Sequence, residues 1–143
     1  MSRLLMHRLA MLVFVVCALN TAAVRAADPE AVAMNMVDAW NDVDLDRVVA
    51  LFTPDGVLHS MMTDPIVGRD SLRSHLQPLF DGIDELNLNL RRVVVDGDTV
   101  AVRGSFEGVQ GEDRVTFDFA DFHVFDEDGL IAHRYTFTDR DTV

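Results

Sequence analysis

The sequence predicts an α+β fold: a curved antiparallel sheet wrapped around three N-terminal helices to form a cone with an internal apolar pocket. Three observations carry this expectation. Apolar residues recur at helical spacing through much of residues 29–82, the period changes to alternation after Gly82, and turn signals at Asp96-Gly97-Asp98 and Asp126-Glu127-Asp128-Gly129 divide the remainder into long strands. Runs of helices followed by runs of strands mark an α+β fold.

The chain has 143 residues, room for one domain, and shows no internal repeat or linker. Its start reads as an export signal, residues 1–26. A short basic stretch (MSRLLMHR) precedes an apolar run (LAMLVFVVCALN), and Val24 and Ala26 offer small residues for cleavage before Ala27. The expected localisation is therefore periplasmic or secreted, with residues 27–143 forming the folded domain and no membrane attachment after cleavage. Cys17, the only cysteine, lies in the signal, so the mature chain has no disulfide, thiol nucleophile or Cys-based metal site. All 12 basic residues are arginines; three precede residue 27, and removing them moves the net charge from −12 to −15. That sign disfavours nucleic acid and anionic membrane surfaces as partners.

Asp28-Pro29 is an N-cap followed by proline in the first helical turn, and Val32, Met36, Ala39 and Trp40 form the apolar stripe of helix one. A second short helix carries Leu45, Val48, Val49 and Phe52 on one side and is expected to end at the Pro54-Asp55-Gly56 turn. Two short extended pieces follow, VLHSMM and DPIVG. The third helix, RDSLRSHLQPLFDG, is expected to be capped by Asp70 or Ser71, stepped at Pro78 and ended at Gly82. Four strands then form a meander: IDELNLNLRRVVV, TVAVRGSFEG, RVTFDFADFHVF and LIAHRYTFTD.

The turn Asp126–Gly129 suggests a register for the last hairpin. If Phe125 faces Leu130, Asp121 lies opposite Arg134 and His123 opposite Ala132. One face then holds Phe117, Phe119, Asp121, His123, Phe125, Leu130, Ala132, Arg134 and Thr136; the other holds Ala120, Phe122, Val124, Ile131, His133, Tyr135 and Phe137. Both faces are largely apolar. One covers the helices and pocket, and a second copy of the chain is the expected cover for the other, giving a homodimer through the sheet.

Three local patterns, W-x-x-x-D-L-D-R-V-V-A-L-F-T-P-D, V-G-R-D and F-D-E-D-G-L-I, together with the order of elements, resemble the nuclear transport factor 2-like superfamily, in particular its SnoaL-like and ketosteroid isomerase-like branch. The resemblance spans about residues 30 to 139. It implies the cone fold, and it leaves the activity open, because the superfamily includes isomerases, polyketide cyclases, epoxide hydrolases, dehydratases and proteins with no enzymatic role. Against the isomerase pattern, Ser60 stands where the general base Asp is expected and Met36 where a tyrosine oxyanion donor is expected. Asp121 matches the second oxyanion donor. Against the pattern of limonene epoxide hydrolase-like members, Arg103 matches the arginine, but Ser105, Thr136 and Ser60 replace the two carboxylates and the asparagine.

The candidate catalytic residues are thus Asp121, His123, Arg103 and His59, with Trp40, Met36, Ser60, Ser105, Phe119, Arg134 and Thr136 as ligand-binding candidates. Asp121 is either a pocket acid or base desolvated by phenylalanines, or an internal partner of Arg134. His59 precedes the position of the missing base and reaches the pocket only if a bulge reverses the alternation. His59, His123 and His133 share no obvious face, so no metal site and no cofactor are expected. Two functions stand against each other. One is an acid–base enzyme of isomerase, cyclase or lyase type acting on a small, mainly apolar carbonyl compound. The other is a non-enzymatic module that binds a small hydrophobic ligand or a protein on the same cone.

Overall fold

Asp28 opens the folded part of the chain as a helix cap. In the computed structural model, which describes residues 28–139, its carboxylate accepts the Glu30 N–H at 3.1 Å and Pro29 begins α1 (Pro29–Asn41). The expected export signal lies outside the described residues. Asp44 caps α2 (Leu45–Ala50) in the same way, accepting the Arg47 N–H at 3.0 Å.

Helix α2 stops earlier than its apolar spacing suggests. Phe52 begins strand β1 (Phe52–Ser60), and Pro54-Asp55-Gly56 lies inside that strand as an irregularity rather than ending a helix. The cause is tertiary. Arg69 donates its Nε–H to the Phe52 carbonyl at 2.9 Å, the Ile131 N–H bonds the Leu51 carbonyl, and the Phe52 ring is driven into the core with 1 % exposure. β2 (Thr63–Val67) pairs back on β1. α3 (Arg69–Gly82) is preceded by Gly68 at φ 84°, a left-handed conformation suited to glycine, so neither Asp70 nor Ser71 caps it; the helix runs through Pro78 to Gly82.

The second half is β3 (Glu85–Asp96), β4 (Thr99–Gln110), β5 (Asp113–Phe125) and β6 (Ile131–Asp139). The six strands form one curved, unclosed sheet in the order β2-β1-β6-β5-β4-β3. Every neighbouring pair is antiparallel except β1 and β6, which run parallel. The three helices cover the concave face. Phe52, Leu72, Ile131, Val48 and Val100 are the largest fully buried side chains there.

The register of the last hairpin differs from expectation by two residues. Asp121 pairs with Thr136 and His123 with Arg134. The turn is tied by Asp126, whose carboxylate accepts the Leu130 N–H at 2.8 Å and whose own N–H bonds the Leu130 carbonyl at 2.8 Å. Leu130 therefore belongs to the turn, and an irregularity after Val124 sets Phe125 against Ile131. Ile131, expected on the outer face, is fully buried. A shift of two preserves alternation, so Asp121, His123, Arg134 and Thr136 still share the concave face. Phe122, Tyr135 and Phe137 lie exposed on the convex one.

Phe52→Ala empties a fully packed position where α2, β1 and β6 meet. Loss of about 3–5 kcal/mol is expected, read as a lowered urea midpoint with an unchanged slope.

Candidate functional site

Alternation along the strands brings Leu88 from β3, Phe106 from β4, Phe117 and Phe119 from β5, and Thr136 and Thr138 from β6 to the concave side. Trp40 from α1 and Leu79 at the end of α3 face them. Between these walls lies a cavity of about 320 Å³, bordered also by Asp121 and Arg134. Gly104 makes this shape possible: a Cβ there would stand 2.9 Å from the Phe119 ring, so only glycine lets the ring lie on β4. A second cavity of about 330 Å³ shares Trp40, Leu79, Arg134, Thr136 and Thr138 and extends toward Ser60, Thr63 and His75.

The polar group of the main cavity is built around Asp121, which is 2 % exposed. Arg134 donates to Asp121 Oδ2 from Nη2 at 2.6 Å and from Nε at 3.1 Å, and the Thr136 hydroxyl donates to Oδ1. The guanidinium carbon sits 5.7 Å from the centre of the Trp40 ring, within cation–π range. Asp121 is thus both an ion-pair partner and a cavity residue. Its two oxygens accept three donors. Arg134 spends only Nε and Nη2 on the pair, so Nη1 is left to donate to a ligand oxygen, and the lone pairs of the Thr136 hydroxyl are left to accept from a ligand donor.

His123 lies behind this group, 2 % exposed, with Nε2 3.8 Å from Asp121 Oδ2. That is too long for a hydrogen bond, and neither ring nitrogen has a partner among the described residues. Its pKa is lowered from 6.5 to about 4: burial is the largest cause, the Arg134 charge acts in the same direction, and Asp121 opposes both. The imidazole is therefore neutral at pH 7.

The structure gathers Trp40, Phe119, Asp121, Arg134 and Thr136 around one cavity and places Ser60 on the adjoining one. It does not gather the others there. Arg103 is exposed on the convex face, since it alternates with Val102 and Gly104, which point inward. The cavity's guanidinium comes from Arg134 instead. Ser105 shares the parity of Arg103 and pairs with Asn89 and Asp118. Met36 is packed in the core, 3 % exposed, and borders neither cavity. His59 also faces outward: the register against β6 is unbroken from Leu58 to Ser60, and the irregularity that β1 shows against β2 between these residues does not turn His59 toward the pocket. There its Nε2 lies 3.2 Å from His133 Nδ1, so these two histidines do share a face. No three His, Cys, Asp or Glu side chains converge as a metal site among the described residues. The walls contributed by Leu79, Leu88 and Phe106 escaped sequence reasoning, although the alternation of Leu86, Leu88 and Leu90 could have assigned the β3 face.

Two measurements check this geometry. Arg134→Met leaves a buried carboxylate without its charge partner and is expected to cost about 3–5 kcal/mol of folding stability by denaturant titration, with Asp121→Asn/Arg134→Met costing less than the sum of the singles. Between pH 6.5 and about 4 the unfolded chain binds a proton at His123 that the folded chain does not. The stability from neutral His123 is therefore complete above pH 6.5 and is lost as pH falls through this window. Relative to His123→Gln, the native chain should lose on the order of 2 kcal/mol more between pH 7 and pH 5, from urea midpoints at the two pH values.

Comparison with known proteins fits this architecture. A family model described as a SnoaL-like domain matches residues 33–134. No curated protein gives a significant match. Among solved structures, a protein from Shewanella denitrificans OS-217 named as a SnoaL-like polyketide cyclase superposes with a TM-score of 0.71 at 16% identity, covering 80% of this chain and 92% of its own. AusH from Aspergillus nidulans gives 0.71 at 18% identity, covering 80% and 85%. An epoxide hydrolase from M. tuberculosis, described as LEH-like, gives 0.69 at 21% identity, covering 78% and 82%. These likenesses establish the fold and not a shared substrate. With the family model spanning most of the cone, the chain belongs to the SnoaL-like domain family.

Proposed function

We propose that the chain is an exported SnoaL-like protein that takes a small, mainly apolar molecule into the cone, with an oxygen of that molecule at Arg134. The observation that carries this reading is the cavity itself: aromatic and aliphatic walls with one buried Asp–Arg–Thr cluster at its edge. A carbonyl or enolate oxygen would accept from Arg134 Nη1. Acid–base chemistry of isomerase or cyclase type then falls to Asp121. Asp121 would take the proton from the carbon beside the carbonyl and return it to the product. Relatives named as a cyclase and an epoxide hydrolase are consistent with small-molecule chemistry on this fold.

A second reading, binding without catalysis, is favoured by one observation. Asp121 is the only carboxylate bordering either cavity among the described residues, and Ser60 stands where isomerases keep their base. In either case the exposed Phe122, Tyr135 and Phe137 suit burial against a second copy, and we propose the homodimer through this face.

The mature chain should be screened by thermal shift against cyclic ketones and enones. Compounds that raise the melting temperature should bind Arg134→Met at least about tenfold more weakly, as expected for loss of a charged hydrogen bond. Binding unaffected by that substitution would remove Arg134 from the site. For bound ketones, exchange of the α-proton in D₂O that is lost in Asp121→Asn supports catalysis, and no exchange in the native chain supports the binding module.

A further inference from the structure

The convex face carries a pair of side chains that the cavity does not use. β1 and β6 run parallel, with Val57 beside His133 and His59 beside Tyr135. This puts His59 and His133 diagonally across the strand join on one face. Their facing nitrogens, His59 Nε2 and His133 Nδ1, are 3.2 Å apart, with ring planes inclined by 32°. Tyr135 stacks on His59 at 4.3 Å and 7°, which fixes the orientation of that ring. Both histidines are half-buried in the single chain, on the same convex face as the proposed dimer contact.

We infer that His59 and His133 form a two-imidazole clamp for a divalent late transition metal of the Zn²⁺, Ni²⁺ or Cu²⁺ class. The argument is geometric. Metal–imidazole bonds of about 2.0–2.1 Å opened to a tetrahedral angle place the two nitrogens about 3.3–3.4 Å apart. The observed separation lies close to that bite; the rings meet head-on, with centres 5.5 Å apart, and a tilt of each is needed to turn both lone pairs onto one ion. Without metal, one ring donates its N–H to the other. On binding, the donor ring keeps its proton on its other nitrogen, and both facing nitrogens present lone pairs to the ion. Imidazole suits Zn²⁺, Ni²⁺ and Cu²⁺ and is a poor ligand for Mg²⁺ or Ca²⁺. Water completes the coordination, since no third ligating side chain converges there among the described residues. The clamp ties β1 to β6, the join through which β1 and β2 attach to the rest of the sheet.

The test is calorimetric titration of the untagged mature chain with ZnCl₂ and with NiCl₂ in a non-chelating buffer. One ion per chain is expected, with His59→Gln and His133→Gln each weakening it by about tenfold or more, at least as much as loss of a residue that only supports a ligand. His75→Gln, which alters an exposed histidine elsewhere, should leave affinity unchanged, and MgCl₂ should give no binding. The melting temperature should rise with ion concentration in the native chain and not in the two clamp variants. Absence of binding up to millimolar metal, or equal loss in His75→Gln, overturns the clamp. Should a clamp variant fail to fold, Ni²⁺-induced broadening of imidazole resonances in the native chain decides: broadening at His59 and His133 supports the site, and broadening centred on the acidic turns refutes it.

Discussion

Asp121 and Arg134 are buried on the same concave face, and neither would be stable there without the other. Removing an ion from water costs several kcal/mol, which is offset only by close, well-directed pairing. The pair therefore constrains the hairpin that carries it. A slip of one residue between β5 and β6 would turn one partner outward and leave the other as a lone charge in an aromatic wall. The constraint extends to α1, because Trp40 packs over the guanidinium, and to β4, where Gly104 lets Phe119 lie flat beside the carboxylate. The cavity is what remains between elements held in this way.

That arrangement makes the site unlike an acid–base centre of free carboxylates. The negative charge is already answered, so the group offering unused hydrogen-bonding capacity to a ligand is the cation. His123 contributes no charge at pH 7 and shields the back of the pair. Members of one family can thus keep the cone and change its chemistry by exchanging a few inward-facing residues, as Ser60 illustrates, while the packing that shapes the cavity stays in place.

Much of the architecture was legible in the sequence because period and turn chemistry agreed with tertiary structure. The Asp28 cap, the change of period at Gly82 and the four-strand meander all formed where local signals put them. The failures share a cause. Phe52 looked helical by spacing, yet Arg69 and the parallel strand β6 pulled it into a strand. The hairpin register missed by two because one residue went to the Asp126 turn and another to an irregularity after Val124. Both depend on contacts that alternation does not report. Parity survived, so the face of Asp121, Arg134 and Thr136 was readable even though their exact pairing was not. Arg103 shows the opposite case: a match to a relative's arginine suggested the pocket, while its alternation with Val102 and Gly104 turned it outward.

The parallel join between β1 and β6 sets the order in which the molecule can be completed. β1 is made before every other strand, yet one of its two strand neighbours is β6, the last of the described strands. Until that strand arrives, Phe52 and Leu58 lack their neighbours on one side and β1 presents an open hydrogen-bonding edge. The entropic cost of closing so long a loop falls late in folding. A nascent chain of this topology stays unfinished, and vulnerable to pairing with its own copies, until β6 has been made.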